Sequence, residues 1–259
     1  MPDLLILMSL GALAGLLAGL LGVGGGLVIV PVLAAWLPSK GVPPEQALHA
    51  AVATSLASIV FTGAASAYSH YRRGGVDLRS LAWLLPGLLL GSGGGALVIA
   101  GVPRVALSLI VAAFCFFAAW QMTRPIGHAG QADRHWLLPS GLGIGVLSTA
   151  VGIGGGSLTV PLLHRLGAPL TRAIGTSSAA GIPIALAGTV GYAMATTPAG
   201  LSAWAVGLVD LKIAAAIGSI SILMAPLGAS LAHRWPVARL KRFFAGWLML
   251  VGVALLIRG

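Results

Sequence analysis

The stretch LLGVGGGLVIVPVL, residues 20 to 33, places three consecutive glycines inside a segment that is otherwise apolar enough to form a membrane helix. Glycine is unfavourable in a helix interior, so this cluster predicts a break in the helix. Lipid cannot satisfy the N–H and C=O groups of irregular backbone, which is therefore tolerated at membrane depth only when it is buried in protein or lines a cavity. We therefore expect the glycines at 24–26 to lie inside the protein or beside a cavity rather than against lipid.

The composition of the whole chain identifies the surroundings of this segment as a lipid bilayer. Of 259 residues, 58% are hydrophobic and 8% are charged, whereas about a quarter of the residues of soluble domains are charged. Most of the successive apolar stretches reach the roughly 20 residues that cross a bilayer as a helix. We therefore predict a multi-pass protein of the cytoplasmic membrane.

The net charge of +10 does not require an anionic macromolecule as a partner. Most Lys and Arg residues lie in short segments at 70–79, 124–135, 164–172 and 233–242, as the positive-inside rule requires of cytoplasmic loops. We expect no nucleic-acid partner. The single cysteine, Cys115, forms no metal-binding motif, and we expect no metal or cofactor. The sequence leaves a homodimer open.

Blocks of sequence recur in the same order in both halves of the chain. LGVGGGLVIVPVL at 21–33 matches VGIGGGSLTVPLL at 151–163, AVATSL at 51–56 matches AIGTSS at 173–178, and VDLRSL at 76–81 matches VDLKIA at 209–214. Such matching is typical of transporters built from internal repeats. We predict a first membrane repeat over residues 1–123, a cytoplasmic linker over 124–135 and a second repeat over 136–259.

The loops before the two VDL blocks carry different charge. The first is HYRRGGVDL, and the second, TTPAGLSAWAVGLVDL, has no basic residue. Equivalent loops are thus expected on opposite sides of the membrane, which predicts an inverted-topology repeat with an odd number of crossings in each half. Residues 27–37 span only about 16 Å as a helix. The fold class is therefore an all-α polytopic membrane protein with two inverted-topology repeats, each a broken-helix hairpin plus about three transmembrane helices.

The breaks are candidate anion sites. New half-helices are expected to begin at Leu27 and Ser157, and a helix N-terminus offers unpaired N–H groups and partial positive charge. Two such ends could face one cavity. The repeated hydroxyls are further candidates, although a hydroxyl in a membrane helix often bonds to its own backbone. The predicted substrate-binding residues are Gly24, Gly25, Gly26, Thr54, Ser55, Gly154, Gly155, Gly156, Ser157, Thr176 and Ser177.

Other features have simpler interpretations. The third glycine cluster, GSGGGAL at 91–97, is expected to mediate helix packing, so that Gly94→Leu should lower stability. Asp77 and Asp210 are expected to cap the helices that follow them. Glu45 is expected in the first turn of a helix. His49 and His70 lie near segment ends; interfacial positions are favoured over a proton-transfer role.

The paired GxGGG…VP blocks, the A-x-x-TS blocks and the R-R-G-x-V-D loop resemble those of the TauE/SafE family, also called the sulfite exporter or toluene-sulfonate uptake permease family. The resemblance implies a secondary transporter of small sulfur-containing anions such as sulfite, sulfoacetate or other organosulfonates, with the repeated glycines and hydroxyls as functional positions. Some relatives handle thiosulfate with several cysteines. In this chain, the second-repeat position equivalent to Cys115 is Leu248, so a pathway built on several thiols is not expected.

Two alternatives remain. One is a transporter of another small anion, such as thiosulfate or a carboxylate. The other is an intramembrane hydrolase, which would need a nucleophile such as Ser157 beside a histidine. The hydrolase is less favoured, because the first repeat has Leu27 at the equivalent position and His164 is expected at a cytoplasmic helix end. We therefore expect a transporter without enzymatic activity.

Overall fold

The computed structural model describes residues 2–22, 24–123, 136–232 and 237–258 and is almost entirely helical. A short 3-10 helix follows the second α-helix, and a two-stranded antiparallel hairpin, which the sequence did not predict, precedes the ninth. The elements are α1 (Pro2–Leu21), α2 (Gly26–Trp36), the 3-10 helix (Leu37–Lys40), α3 (Pro44–Tyr71), α4 (Leu78–Ala100), α5 (Arg104–Thr123), α6 (Leu137–Val151), α7 (Gly156–Arg165), α8 (Leu170–Ala193), β1 (Ala205–Val206), β2 (Val209–Asp210), α9 (Leu211–Ala232) and α10 (Val237–Arg258).

The helix lengths confirm an all-α multi-pass membrane protein. Within the described ranges, six helices are long and apolar enough to cross a membrane: α1, α3, α4, α5, α8 and α9. By contrast, α2 and α7 have 11 and 10 residues, or about 16 and 15 Å of helix. Each follows a glycine break and is too short to cross. The predicted linker at 124–135 lies outside the described residues.

The helices of the two repeats pack in reciprocal pairs. Helices α1 and α9 pack against each other in parallel, with Gly11 near Ile217 and Gly19 near Ala225. The corresponding pair of α6 and α4 is also parallel, with Gly87 against Leu138. At the centre, α3 and α8 run antiparallel: Leu56 lies near Gly188, and Gly63 lies near Ser178. An inverted repeat requires that equivalent helices of the two repeats, such as α3 and α8, run in opposite directions.

The expected caps are confirmed. The carboxylate of Asp77 accepts hydrogen bonds from the backbone N–H groups of Arg79 and Ser80 at 3.1 and 3.2 Å, at the start of α4. Asp210 accepts one from the N–H of Ile213 at 3.1 Å at the start of α9. Glu45 lies in the first turn of α3. The sharp starts of α4 and α9 therefore follow from a local side-chain cap.

The third glycine cluster mediates packing at only some of its positions. A side chain at Gly91 would meet the carbonyl oxygen of Leu142, and the position of a Cβ on Gly95 is 3.1 Å from the Cα of Val146. Both contacts join α4 to α6. A Cβ on Gly94 would have no neighbour within 4 Å. The expectation that Gly94 is a packing position is therefore wrong, because this residue lies on the outward side of α4.

Candidate functional site

The two glycine breaks meet at the centre of the molecule. A Cβ on Gly24 would lie 3.1 Å from the Cα of Gly154, and a Cβ on Gly154 would lie 3.4 Å from the Cα of Gly24. A side chain at Gly26 would meet the carbonyl oxygen of Gly152. The structure thus brings the predicted glycines of both repeats into backbone contact, which only residues without side chains permit.

Each break ends at a glycine that no other residue could easily replace. Gly25 has a φ of +76° and Gly155 a φ of +73°, and each is the N-cap of the following half-helix. The half-helices begin at Gly26 and Gly156, one residue before the predicted starts. In α7, the N–H groups of Leu158 and Thr159 bond to the carbonyl of Gly155. The N–H groups before them have no intrahelical acceptor, so they form the positive end of the helix.

The repeated serines connect each half of the chain to the break in the other half. Ser55 donates a hydrogen bond to the carbonyl oxygen of Gly152 at 2.8 Å, and Ser177 donates one to the carbonyl oxygen of Gly22 at 3.2 Å. All four residues are buried. These bonds satisfy carbonyl groups that the broken helices leave without partners.

The repeated threonines bind the other half in the same reciprocal way. Thr54 accepts a hydrogen bond from the backbone N–H of Asp210 at 3.0 Å, and Thr176 accepts one from that of Asp77 at 2.8 Å. Thr176 also donates to the carbonyl of Arg172 at 2.7 Å. The TS pairs therefore join the two repeats. The bond from Thr176 to Arg172 lies within α8, so the expected bonding of a hydroxyl to its own helix also occurs at this residue.

Two further bonds are equivalent in the two repeats, and each stays within its own repeat. The Nε2 atom of His70 bonds to the carbonyl oxygen of Gly19 at 3.2 Å, and the hydroxyl of Tyr192 donates to the carbonyl oxygen of Thr149 at 3.1 Å. Each bond joins a central helix, α3 or α8, to the last turn before a glycine break. His49 contacts the carbonyl oxygen of Val102 at 2.9 Å. Both histidines thus have structural partners near segment ends.

A small cavity adjoins the glycine contact. It has a volume of about 10 Å³ and is lined by Gly24, Gly154 and the hydroxyl residues Ser66 and Ser178, among others. Ser66 donates to Ser178 at 3.0 Å. No charged side chain lines it. Sequence analysis missed both serines, because Ser66 has no hydroxyl counterpart in the second repeat and Ser178 was overshadowed by the repeated TS pair beside it.

Ser157, the remaining predicted site residue, lies in the first turn of α7. Ser157 is only 5% exposed, and its hydroxyl has no hydrogen-bond partner among the described residues. His164 lies seven positions further along the same helix, about 10 Å along its axis, and its Nδ1 contacts the carbonyl oxygen of Ala168 at 2.8 Å. The structure therefore does not bring this histidine to Ser157. The described residues include no group of three or more metal-binding side chains.

The glycine breaks, the reciprocal packing and the long apolar helices extend over both repeats, and so does the match to known proteins. Residues 7–255 match the family described as Sulfite exporter TauE/SafE. The chain belongs to the TauE/SafE family. Membership makes it a membrane transporter, in agreement with its helices, and a multi-pass protein of the cell membrane.

Curated proteins that are similar to this chain are described as probable membrane transporters. A "Probable membrane transporter protein" of Haemophilus influenzae is 33% identical over 261 residues, which cover 98% of each chain. A protein of the same description from Methanocaldococcus jannaschii is 25% identical over 258 residues, 97% of this chain and 95% of the relative. The "Probable membrane transporter protein YdhB" of Bacillus subtilis is 27% identical over 191 residues, 70% and 75% of the two chains. No solved structure matches the chain significantly.

Proposed function

We propose that the protein is a secondary transporter that moves a small sulfur-containing anion, such as sulfite, sulfoacetate or another organosulfonate, across the cytoplasmic membrane. The observation that supports this proposal is the backbone contact of Gly24 with Gly154. Because α2 and α7 begin two residues beyond these glycines, the contact places two helix N-termini at one position in the molecule. Two positive helix ends form a natural site for an anion.

The chemistry of this position suits an oxyanion that must be released again. Backbone N–H groups donate hydrogen bonds to sulfite or sulfonate oxygens without a full positive charge. The adjoining cavity has no charged lining residue, so no fixed cation would hold the anion too tightly. Gly24, Gly25, Gly26, Gly154, Gly155, Gly156 and Ser157 are the proposed contact residues.

The four TS hydroxyls have a supporting role in this proposal. In the observed conformation, the protons of Ser55 and Ser177 are donated to backbone carbonyls, and the oxygens of Thr54 and Thr176 accept backbone N–H groups. An anion needs donors. These residues therefore position the two breaks, while the break backbone binds the substrate.

In the conformation described here, the cavity beside the contact of the two breaks has no room for the substrate. A cavity of about 10 Å³ accommodates about one water molecule, and sulfite is larger. Transport thus requires the two breaks to separate. An inverted arrangement of the repeats, which we propose from the loop charges and which fits the antiparallel packing of α3 and α8, allows one half to move against the other.

Uptake by proteoliposomes tests the proposal. Purified protein would be reconstituted and supplied with labelled sulfite, sulfoacetate, thiosulfate or acetate, with protein-free liposomes as the control. Saturable uptake of sulfite or sulfoacetate is expected. Uptake of thiosulfate or acetate alone would instead support the alternative substrates, and the absence of any uptake would contradict the transport proposal for these anions.

A further inference from the structure

The second glycine break is surrounded by buried hydroxyl groups that have no partner. Ser148 and Thr149 lie in the last turn of α6, and Ser157 and Thr159 lie near the start of α7. Each residue is at most 5% exposed, and none of the four hydroxyls makes a hydrogen bond in the described structure. Buried hydroxyls are normally bonded, most often to their own helix. Four exceptions at one break require an explanation.

The first break has no such hydroxyls. Extending the match of the glycine blocks places Ala18, Gly19, Leu27 and Ile29 opposite the four. The structure supports this alignment, because His70 bonds to the carbonyl of Gly19 where Tyr192 bonds to that of Thr149. The polar groups are therefore a property of the second break alone, and the shared architecture of the repeats does not account for them.

Two of these hydroxyls lie at the positive end of α7. The Oγ atom of Ser148 is 3.3 Å from the position of a Cβ on Gly155, the N-cap of that helix. Ser157 is the second residue of α7. The small cavity beside Gly24 is not lined by either serine, so a water molecule there would not satisfy them. Both hydroxyls are free to donate where the helix dipole also attracts an anion.

We infer that the transported anion is bound asymmetrically, with its oxygens on the second break, and that Ser148 and Ser157 donate hydrogen bonds to them. This inference rests on the proposed function. Thr149 and Thr159 extend the polar surface around the same break. The first break contributes backbone alone, because its equivalent side chains are apolar or absent. The two pseudo-equivalent half-helices thus have different roles in one site.

Serine-to-alanine variants of the full-length protein test this assignment. In proteoliposomes, Ser148→Ala and Ser157→Ala should each raise the KM for labelled sulfite or sulfoacetate about tenfold, as expected for loss of a hydrogen bond to a charged group. Vmax should change less than twofold. Ser157→Thr keeps the hydroxyl and should restore most of the affinity. The matched control is Ser108→Ala in α5, whose hydroxyl bonds to the carbonyl of Val105 at 2.8 Å; its KM should equal that of the parent.

Thermal unfolding without the anion provides a second readout. Removing a buried hydroxyl that has no partner should leave the melting temperature unchanged or raise it, whereas a structural hydroxyl would lower it. A lower melting temperature for Ser157→Ala, or an unchanged KM in both folded alanine variants, would overturn the inference while parent uptake still supports transport. If the parent takes up neither anion, the proposed function and this inference both fail.

Discussion

At the scale of single residues, the glycines of the breaks are required by backbone conformation before any ligand is considered. Gly155 has a φ of +73°, and a Cβ there would lie 2.6 Å from the Cδ1 of Ile184. We expect Gly155→Ala to destabilise the protein by about 1–2 kcal/mol or more, since L-residues are disfavoured in this region. Gly143→Ala in helix α6, where a Cβ has no neighbour within 4 Å, should be neutral or slightly stabilising.

Melting temperatures of both variants in detergent would check this pair. Equal melting temperatures would show that the left-handed backbone at Gly155 is not needed. The same geometry shows that a leucine at Gly25 or Gly155 would not test anion binding by itself. A Cβ on Gly25 would already be 2.7 Å from the Cβ of Ala14, so such variants are expected to lose stability along with function.

The serines that reach across the molecule provide the next prediction. Ser55→Ala removes the donor to the carbonyl of Gly152, and Ser177→Ala removes the donor to that of Gly22. Each change leaves a buried carbonyl without this bond and should lower the free energy of unfolding by about 1–3 kcal/mol. Chemical or thermal unfolding of the two variants measures the effect. Unchanged stability in both would show that these bonds do not hold the repeats together.

At the scale of elements, the helix contacts depend on which glycines face a neighbour. A side chain at Gly91 would meet the backbone of Leu142, whereas Gly94 in the same cluster has open space. Gly91→Leu should therefore separate α4 from α6 and destabilise the protein by about 1–3 kcal/mol. Gly94→Leu should remain within about 0.5 kcal/mol of the parent. Unfolding curves of this matched pair decide the question, and a stable Gly91→Leu variant would contradict the packing.

These elements show what the sequence could reveal. The glycine blocks predicted both breaks and the short limbs α2 and α7, because helix-breaking residues and helix length are local properties. The sequence does not show which face of α4 meets α6, and the expectation that Gly94 packs against a neighbouring helix is therefore wrong. It also did not show that Ser55 reaches Gly152, which is 97 positions away. Ser148 and Thr149 have no hydroxyl counterpart in the first repeat, so a comparison of the two repeats does not single them out.

At the scale of the whole molecule, the contacts between the repeats come in reciprocal sets. Thr54 and Ser55 of the first repeat bind residues of the second, and Thr176 and Ser177 of the second bind residues of the first in an equivalent way. Such cross-connections make each half depend on the other for the shape of its break. A movement that opens one break should therefore alter the other, which is the coupling that alternating access requires.

The orientation of the repeats in the membrane gives the last prediction. Arg73 and Thr197 are exposed residues in the loops before α4 and before the β1–β2 hairpin, which are equivalent connections of the two repeats. The basic loop should face the cytoplasm and the other the opposite side. Gly200 in the same loop is unsuitable for a cysteine, because its φ of +80° and its contact with Gly41 oppose a side chain.

Single cysteines would be introduced at these positions in a Cys115→Ala background. The native cysteine is buried, and the cysteine-free Cys115→Ala protein serves as the unlabelled control. In intact cells, a membrane-impermeant maleimide should label Thr197→Cys but not Arg73→Cys, and in inside-out vesicles the pattern should reverse. Labelling of both cysteines from one side would contradict the inverted repeat. It would also remove the symmetry argument by which two half-helices approach one anion from opposite sides of the membrane.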